Sequence, residues 1–378
     1  MGRTIFGRQR IGQRPQRGGF SLVDLAVSVA IVATLLALIL PSIRVTRGSS
    51  HLLSCRNNLK NLALAMHNYA GAHQGHLPAS QRFQHRDGGR FRPMQNWVVS
   101  LLPYVDRRDI ADRWNFDQPF DSPANSELGS IPVRVLYCPD DTTRPSEPRQ
   151  LSYVVNHGYM SVGAKDNFWD AGQINWNRNN TTNSMATPDI DAEDADAHRD
   201  TGMFWQVREP GADSAMITRS WSHGSFSLDR VYDGSSQTIL LSENSHAGLA
   251  NAGPKANWAS PNWRRCTFVL PIAPYDQGPA NYRNPFDSIS KASSSIGVSS
   301  VVNGTAAGLG SENDVRFAAP NSQHPNGVNV AWVDGSVGFV SEDIAPSVYA
   351  RLVSPAGSRP RGPESAIETQ EDLSDQDF

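Results

Sequence analysis

The chain has 378 residues, a formal net charge of -3 and 19% charged residues. That balance lacks the basic face that nucleic-acid binding needs, so a nucleic-acid partner is not expected. Thirty glycines and 25 prolines, set among short Val/Ile/Tyr/Trp runs, argue against a helical bundle and for a loop-rich sheet domain, as one large domain or two small ones.

The N-terminal stretch carries five arginines, Arg3, Arg8, Arg10, Arg14 and Arg17, and no acid before Asp24. Phe20 to Leu40 then gives 21 residues whose one charge is Asp24. About 20 apolar residues cross a bilayer core as a helix. This run has no polar stripe of the kind a surface helix shows, so it predicts a membrane helix. Positive flanks stay in the cytoplasm, which places the N-terminus inside and the rest of the chain across the membrane. A secretory signal has its small-residue cleavage site after a shorter apolar region. Here Gly18 and Gly19 come before the run, so cleavage there leaves the helix on the mature chain. Loss of residues 1–19 would leave 29 basic against 37 acidic residues, a net charge of -8. Pro41 is expected to kink the helix, because proline removes one helical hydrogen bond.

Beyond Pro41, Leu52, Cys55, Leu59, Leu62, Met66 and Tyr69 recur at spacings of three and four, which predicts one buried helix face. The result is a long helix over roughly residues 21–70, with Gly71 as its stop signal. Its second half needs a sheet to cover the stripe. Asn96 to Tyr104 reads as a short helix or strand ending at Pro103, and Asp106 to Trp114 as a further short helix. Val133 to Pro139 and Leu151 to Asn156 read as strands. Residues 165–200 are mostly polar, with an acidic run from Asp189 to Asp196 that lacks the glycine and terminal glutamate of a calcium loop, so a solvated loop is expected. Val231 to Asn244 reads as a turn and a buried strand. Trp258, Trp263 and Cys266 are the anchored points of a weakly patterned stretch. Gly327–Val333 and Ser336–Val340 read as a hairpin whose two-residue Asp334-Gly335 turn sets Trp332 opposite Val337 and Val330 opposite Phe339. From Ser354 the Pro, Gly and acid content predicts a disordered tail.

Enzymatic constellations are missing: there is no Gly-x-Ser-x-Gly elbow, no Walker loop, no His-Glu-x-x-His and no paired Cys motif. His67, His73 and His76 lie close in sequence, but Gly71 and Gly75 interrupt the helix that would make them a ligand pair, so hydrogen-bonded histidines are expected rather than a metal site. The nine tryptophans read as core packing first and as a glycan groove second. Three cysteines leave one unpaired if a disulfide forms outside the cytoplasm, and buried thiols are the other reading. No cofactor and no metal is expected.

Two features resemble a known class of proteins. Gly19-Phe20-Ser21-Leu22-Val23-Asp24 is similar to a prepilin signal, in which a cytoplasmic-side peptidase cuts after the glycine and the new N-terminal Phe is methylated. That resemblance implies cleavage between Gly19 and Phe20, with Asp24 at the fifth mature position, where the family normally carries Glu. Pro41 then falls at mature position 22, where pilin-type helices often kink. His324, nine residues and Asp334-Gly335 resemble the C-terminal His-x9-Asp-Gly element of large pilin-like proteins of unknown function. Cys55 to Lys60, Tyr137-Cys138-Pro139-Asp140, Asp233 to Leu240 and His324 to Val330 look like the same family, which covers roughly residues 18–353. The resemblance includes both Cys55 and Cys138, which implies a disulfide between them and leaves Cys266 free. His324 and Asp334 read first as structural residues, with a cation or processing role as the alternative.

The combined reading is an α+β fold: a long N-terminal helix, transmembrane in its first half, packed on a mainly antiparallel sheet. Residues 1–19 form a prepilin leader, 20–41 a transmembrane helix, 42–353 an extracytoplasmic pilin-like domain and 354–378 a disordered acidic tail. The expected function is a pilin-like or pseudopilin-like subunit of the bacterial inner membrane, single-pass and not an enzyme. Its expected partners are the membrane, a prepilin peptidase/methyltransferase and other pilin-like subunits. The alternative is a membrane-anchored extracytoplasmic module that binds a solute or glycan.

Overall fold

A computed structural model describes residues 21–86, 90–141, 151–161, 199–209, 226–245, 247, 257–272, 302–303, 318–359 and 373. The expected leader, the Gly19–Phe20 cleavage point and the acidic run of residues 189–196 lie outside the described residues. The chain divides into two units, residues 1–50 and 51–378.

Helix α1 spans Leu22–Ala72 and runs through Pro41 without a break. Its start is capped locally. Ser21 Oγ accepts from the Val23 amide at 3.3 Å and the Asp24 carboxylate accepts from the Ser21 amide at 3.3 Å, a reciprocal pair that satisfies two donors at the helix start. Within the first unit, Leu22, Leu25, Val29, Ile31, Leu35 and Leu36 are all exposed. Among the described residues no helix is long and apolar enough to cross a membrane. The side chains of the apolar run are described as far as residue 37.

The second unit is a mixed α+β body with antiparallel-rich sheets, the fold class expected. A three-stranded sheet has the order β2-β1-β4, from β1 (Gln81–Arg86), β2 (Arg90–Asn96) and β4 (Gln206–Glu209). A five-stranded sheet has the order β6-β3-β5-β7-β8, from β3 (Tyr153–Ser161), β5 (Ile239–Glu243), β6 (Thr267–Ile272), β7 (Gly327–Trp332) and β8 (Val337–Ser341). Among the described strands, the β1–β4 and β3–β6 pairs are parallel and the other pairs antiparallel. Residues 51–72 of α1 bury Cys55, Leu59, Leu62, Ala63, Met66 and Ala70 in the main core with Trp97, Leu101, Tyr153 and Leu241. Each fully buried Leu or Met on that face contributes about 1.5–3 kcal/mol. The predicted stripe is therefore real, with Leu52 and Tyr69 half-buried at its margins.

Helix α2 (Trp97–Leu101) begins where Asn96 accepts from the Val98 amide, while its own amide group donates to the carbonyls of Trp258 and Ser260. The expected helix or strand is α2, and a 3-10 turn over Leu102–Tyr104 carries the chain through Pro103 instead of ending there; α3 (Arg108–Ala111) lies inside the expected Asp106–Trp114 helix but is shorter. Further described helices are α4 (Pro123–Leu128), α5 (Trp263–Cys266) and α6 (Pro346–Val353).

Three expectations need correction. The Val133–Pro139 segment is a 3-10 turn over Arg134–Leu136, not a strand. Side chains at i and i+3 eclipse in such a turn, so Val133 and Leu136 both enter the core, which strand alternation forbids. The β7–β8 hairpin has a different register, Ala331 opposite Val337 and Asn329 opposite Phe339. Only Gly335 of its turn has positive φ, at 79°. The loop is Val333-Asp334-Gly335, closed by Gly335 N to Trp332 O at 2.9 Å and Trp332 N to Ser336 O at 2.9 Å, a three-residue hairpin with glycine at its left-handed position. Val333 belongs to the loop because its side chain is buried and its amide donates to Thr238 O on the neighbouring segment. Finally, residues 354–357 are buried rather than part of a disordered tail. Asp233 fixes them, accepting from the Gly357 amide at 2.7 Å and the Ser358 amide at 3.0 Å.

Candidate functional site

The most unusual place in the second unit is a polar knot buried between α1, β5, β7 and the Cys138 and His324 loops. Its centre is Glu243, the last residue of β5 and only 2% exposed. A buried carboxylate is costly unless its lone pairs are taken. Asn329 on β7 takes three of them: its amide N–H donates to Oε2 at 2.8 Å, and Nδ2 lies 3.1 Å from each oxygen. Arg56 on α1 holds Asn329 in that orientation by donating Nε to its Oδ1 at 2.9 Å. Gly327 starts β7 beside Val340 and Phe339, where a Cβ would collide with the Val340 carbonyl, so the close approach that positions Asn329 requires glycine.

His324 sits across from Glu243, 5% exposed. Its loop is tied to the end of β5 by Asn321 N to Glu243 O at 3.0 Å, and its amide donates to Ser322 Oγ at 3.0 Å. The ring lies between two carboxylates, Nε2 3.2 Å from Glu243 Oε1 and Nδ1 3.2 Å from Asp140 Oδ2. Carboxylate oxygens accept, so the two contacts suit a ring that carries a proton on each nitrogen. Burial alone pulls its pKa down. The hydrogen bond and charge of Glu243 and the charge of Asp140 outweigh that burial and the opposing Arg56, leaving His324 above its ordinary value. Asp140 also reaches the half-exposed His51 Nδ1 at 2.6 Å, so a chain of four charged or ionisable groups leads from the surface to Glu243.

A disulfide joins Cys55 of α1 to Cys138, closing 83 residues of sequence separation, and Cys266 is a buried free thiol. This is the expected pairing. Cys138 Sγ lies 3.5 Å from His324 Nε2. Tyr153 borders the knot, its hydroxyl 3.4 Å from the Cys55 carbonyl and 3.3 Å from Asn58 Nδ2; burial, then the Glu243 charge, pushes its pKa well up.

The His-x9-Asp-Gly element divides. His324 joins the knot, whereas Asp334 is exposed and accepts from the Ser336 amide at 2.7 Å to shape the β7–β8 turn. Gly335 lies against His67 and Lys60 of α1; its carbonyl accepts from Lys60 Nζ at 2.6 Å, and His67 Nε2 bonds Val333 O at 2.7 Å. His73 and His76 bond the Tyr69 and His73 carbonyls instead of converging. Asp24 stands at the exposed start of α1, and Pro41 lies within the helix. Trp97, Trp114, Trp205, Trp258 and Trp263 are buried, which assigns them to packing. Sequence reading passed over Glu243, Asn329, Asp140, Arg56 and His51. Only the paired positions of Cys138-Pro139-Asp140 and the apolar strand ending in Glu243 offered a signal, a charged residue closing a buried run.

Residues 52–347 match the sequence model of a family described as SBP_bac_10, protein of unknown function (DUF1559). No curated protein and no solved structure matches the chain.

Proposed function

We propose that this chain, which belongs to the DUF1559 (SBP_bac_10) family of unknown function, is a pilin-like or pseudopilin-like subunit of the inner membrane. In this reading a prepilin peptidase removes residues 1–19, Phe20 becomes the methylated N-terminus, α1 anchors the subunit through its first half, and the second unit lies outside the cytoplasm.

The observation that carries the proposal is the surface of the first unit. Nine large aliphatic side chains between Leu22 and Leu36 are each more than half exposed. Withdrawing nine such half-exposed side chains from water is worth on the order of 10 kcal/mol. An apolar surface of that extent calls for lipid or for other apolar helices. Asp24 interrupts it one turn from the helix start. A carboxylate in hydrocarbon needs a partner, and the amine of a neighbouring subunit's new N-terminus has the right charge. The Ser21 cap keeps Asp24 ordered at the end where that amine would arrive.

Membrane fractionation of the full chain tests the reading. The full chain should resist alkaline carbonate and yield to detergent, while a chain lacking residues 1–49 should be released without detergent. A full chain recovered in the carbonate supernatant would refute the anchor.

A further inference from the structure

The buried knot has one property that a subunit's scaffold does not require. Cys55 Sγ, Cys138 Sγ, a Glu243 oxygen and a His324 nitrogen all lie within 4.8 Å of one another, and all four residues are buried. Two sulfurs, an imidazole and a carboxylate are the donor types that bind zinc with four-coordinate geometry. Around one zinc ion with arms of about 2.0–2.3 Å, ligand atoms stand roughly 3.5 Å apart. The Cys138 Sγ–His324 Nε2 distance of 3.5 Å and the His324 Nε2–Glu243 Oε1 distance of 3.2 Å already match that spacing, and the bonded sulfurs are the pair that must part.

The outer contacts carry the argument further. Metal-binding imidazoles characteristically have their second nitrogen held by a carboxylate, which fixes the ring. Here Asp140 holds His324 Nδ1 and turns Nε2 toward Glu243 Oε1 and Cys138 Sγ. Glu243 is fixed in turn by Asn329, and Asn329 by Arg56. Two of the four donors therefore have ordered second partners.

We propose that Cys55, Cys138, Glu243 and His324 form a redox-gated zinc site, closed by the disulfide and opened by a dithiol reductant. In the opening step the dithiol gives two electrons and two protons to the Cys55–Cys138 bond. The S–S bond breaks, two thiols form, and the dithiol leaves as its own disulfide. Zinc then displaces the two thiol protons and the His324 Nε2 proton to solvent. The oxidised chain and the zinc-loaded chain are alternative states of the same core, and each ties α1 to the Cys138 loop.

The test uses the full chain in detergent, with zinc alone as the probe. Reduced by a dithiol and freed of it by anaerobic desalting, the chain should retain one zinc per molecule by atomic emission, and the oxidised chain none. Cobalt in place of zinc should give the thiolate charge-transfer absorption of a bound Cys pair. Cys266→Ser should leave uptake unchanged. Cys55→Ser and His324→Gln should abolish tight binding, and Asp140→Asn, a positioning change, should weaken it roughly 10–100-fold while keeping one zinc per chain. Zinc should protect two thiols from alkylation. A reduced, folded chain that retains no zinc overturns the proposal, as does uptake that survives Cys55→Ser. If reduction unfolds the chain, zinc should restore its near-ultraviolet circular dichroism, since structural zinc supplies folding free energy; failure to do so overturns the proposal equally.

Discussion

The two halves of α1 are one continuous helix with opposite relations to their surroundings. Leu25 is 57% exposed and Leu36 53%, whereas Leu59 and Leu62 are fully buried. Leucine is the same residue in both places, so the difference lies in the company it keeps. In residues 51–72 the apolar side chains form a stripe bordered by Arg56, Lys60, Asn61 and Asn68, and that stripe is answered by this chain's own core. In residues 22–37 they occupy every side, and no single face of a sheet can cover a helix all round. The lesson is that the second half is completed by the chain itself, and in the proposed reading the first half is completed by lipid or by neighbouring helices.

The sharpest way to break this comparison is to place the same charge in each half. Leu59→Asp should abolish cooperative unfolding of the second unit, since an unpaired charge in a packed core costs more than about 4 kcal/mol. Leu35→Asp should leave that unfolding within about 0.5 kcal/mol of the original and instead impair membrane retention. Thermal melts of both variants in detergent check the pair; equal losses would erase the distinction between the halves.

Next in size is the staple. Replacing Cys55 and Cys138 by serine should cost the second unit roughly 2–5 kcal/mol in chemical denaturation, because the bridge closes a long loop. Membrane retention of the same variant should not change, as the bridge begins in the second half.

Acid should also act on the second unit. His157 is buried beside Trp205, and burial, against a hydrogen bond with Phe204, depresses its pKa to about 4. The unfolded chain then binds a proton near pH 6.5 that the folded chain refuses. Stability should therefore fall as pH drops from about 6.5 to about 4, by roughly 3 kcal/mol from this residue, and level off below. His157→Gln should flatten that slope in pH-dependent urea melts. His324 has the opposite sign: its raised pKa gives stability that is full below pH 6.5 and is lost as pH rises through the folded-state value.

The smallest effect on stability is expected at the helix start. Asp24→Ala removes one acceptor of an exposed cap and one favourable charge at a helix N-terminus, about 0.5–1 kcal/mol of local helix stability. The second unit's melt should not register it. Assembly with other subunits should, and Asp24→Glu should assemble at least as well as the original. An Asp24→Ala chain that co-purifies with its partners at undiminished yield would remove the pairing with a neighbour's amine.

Much of this architecture was legible in the residues. Periodicity located α1 and its buried stripe, because helix burial repeats on a scale of a few residues. The Asp334-Gly335 pair located the β7–β8 hairpin but not its register, since the position of Val333 is decided by a hydrogen bond to Thr238, far away in sequence. Pro132 and Pro139 bracket a segment that looks like a strand, and only the need to bury both Val133 and Leu136 makes it a turn. The polar knot was the least legible. His324 stood out through its element, but its partners Arg56, Asp140, Glu243 and Asn329 each read alone as an ordinary polar residue. What makes them a site is their convergence at the edge of the folded core, a property that no local spacing encodes.

The most direct test of the contrast between the halves is the intact mass of the chain extracted from the membranes of its native host. If the first half of α1 is completed by lipid and by neighbouring pilin-like subunits, the mature chain should begin at Phe20, carry one added methyl group, and lack residues 1–19. A membrane-extracted chain that still carries those residues, or that begins within the apolar run, would contradict the account.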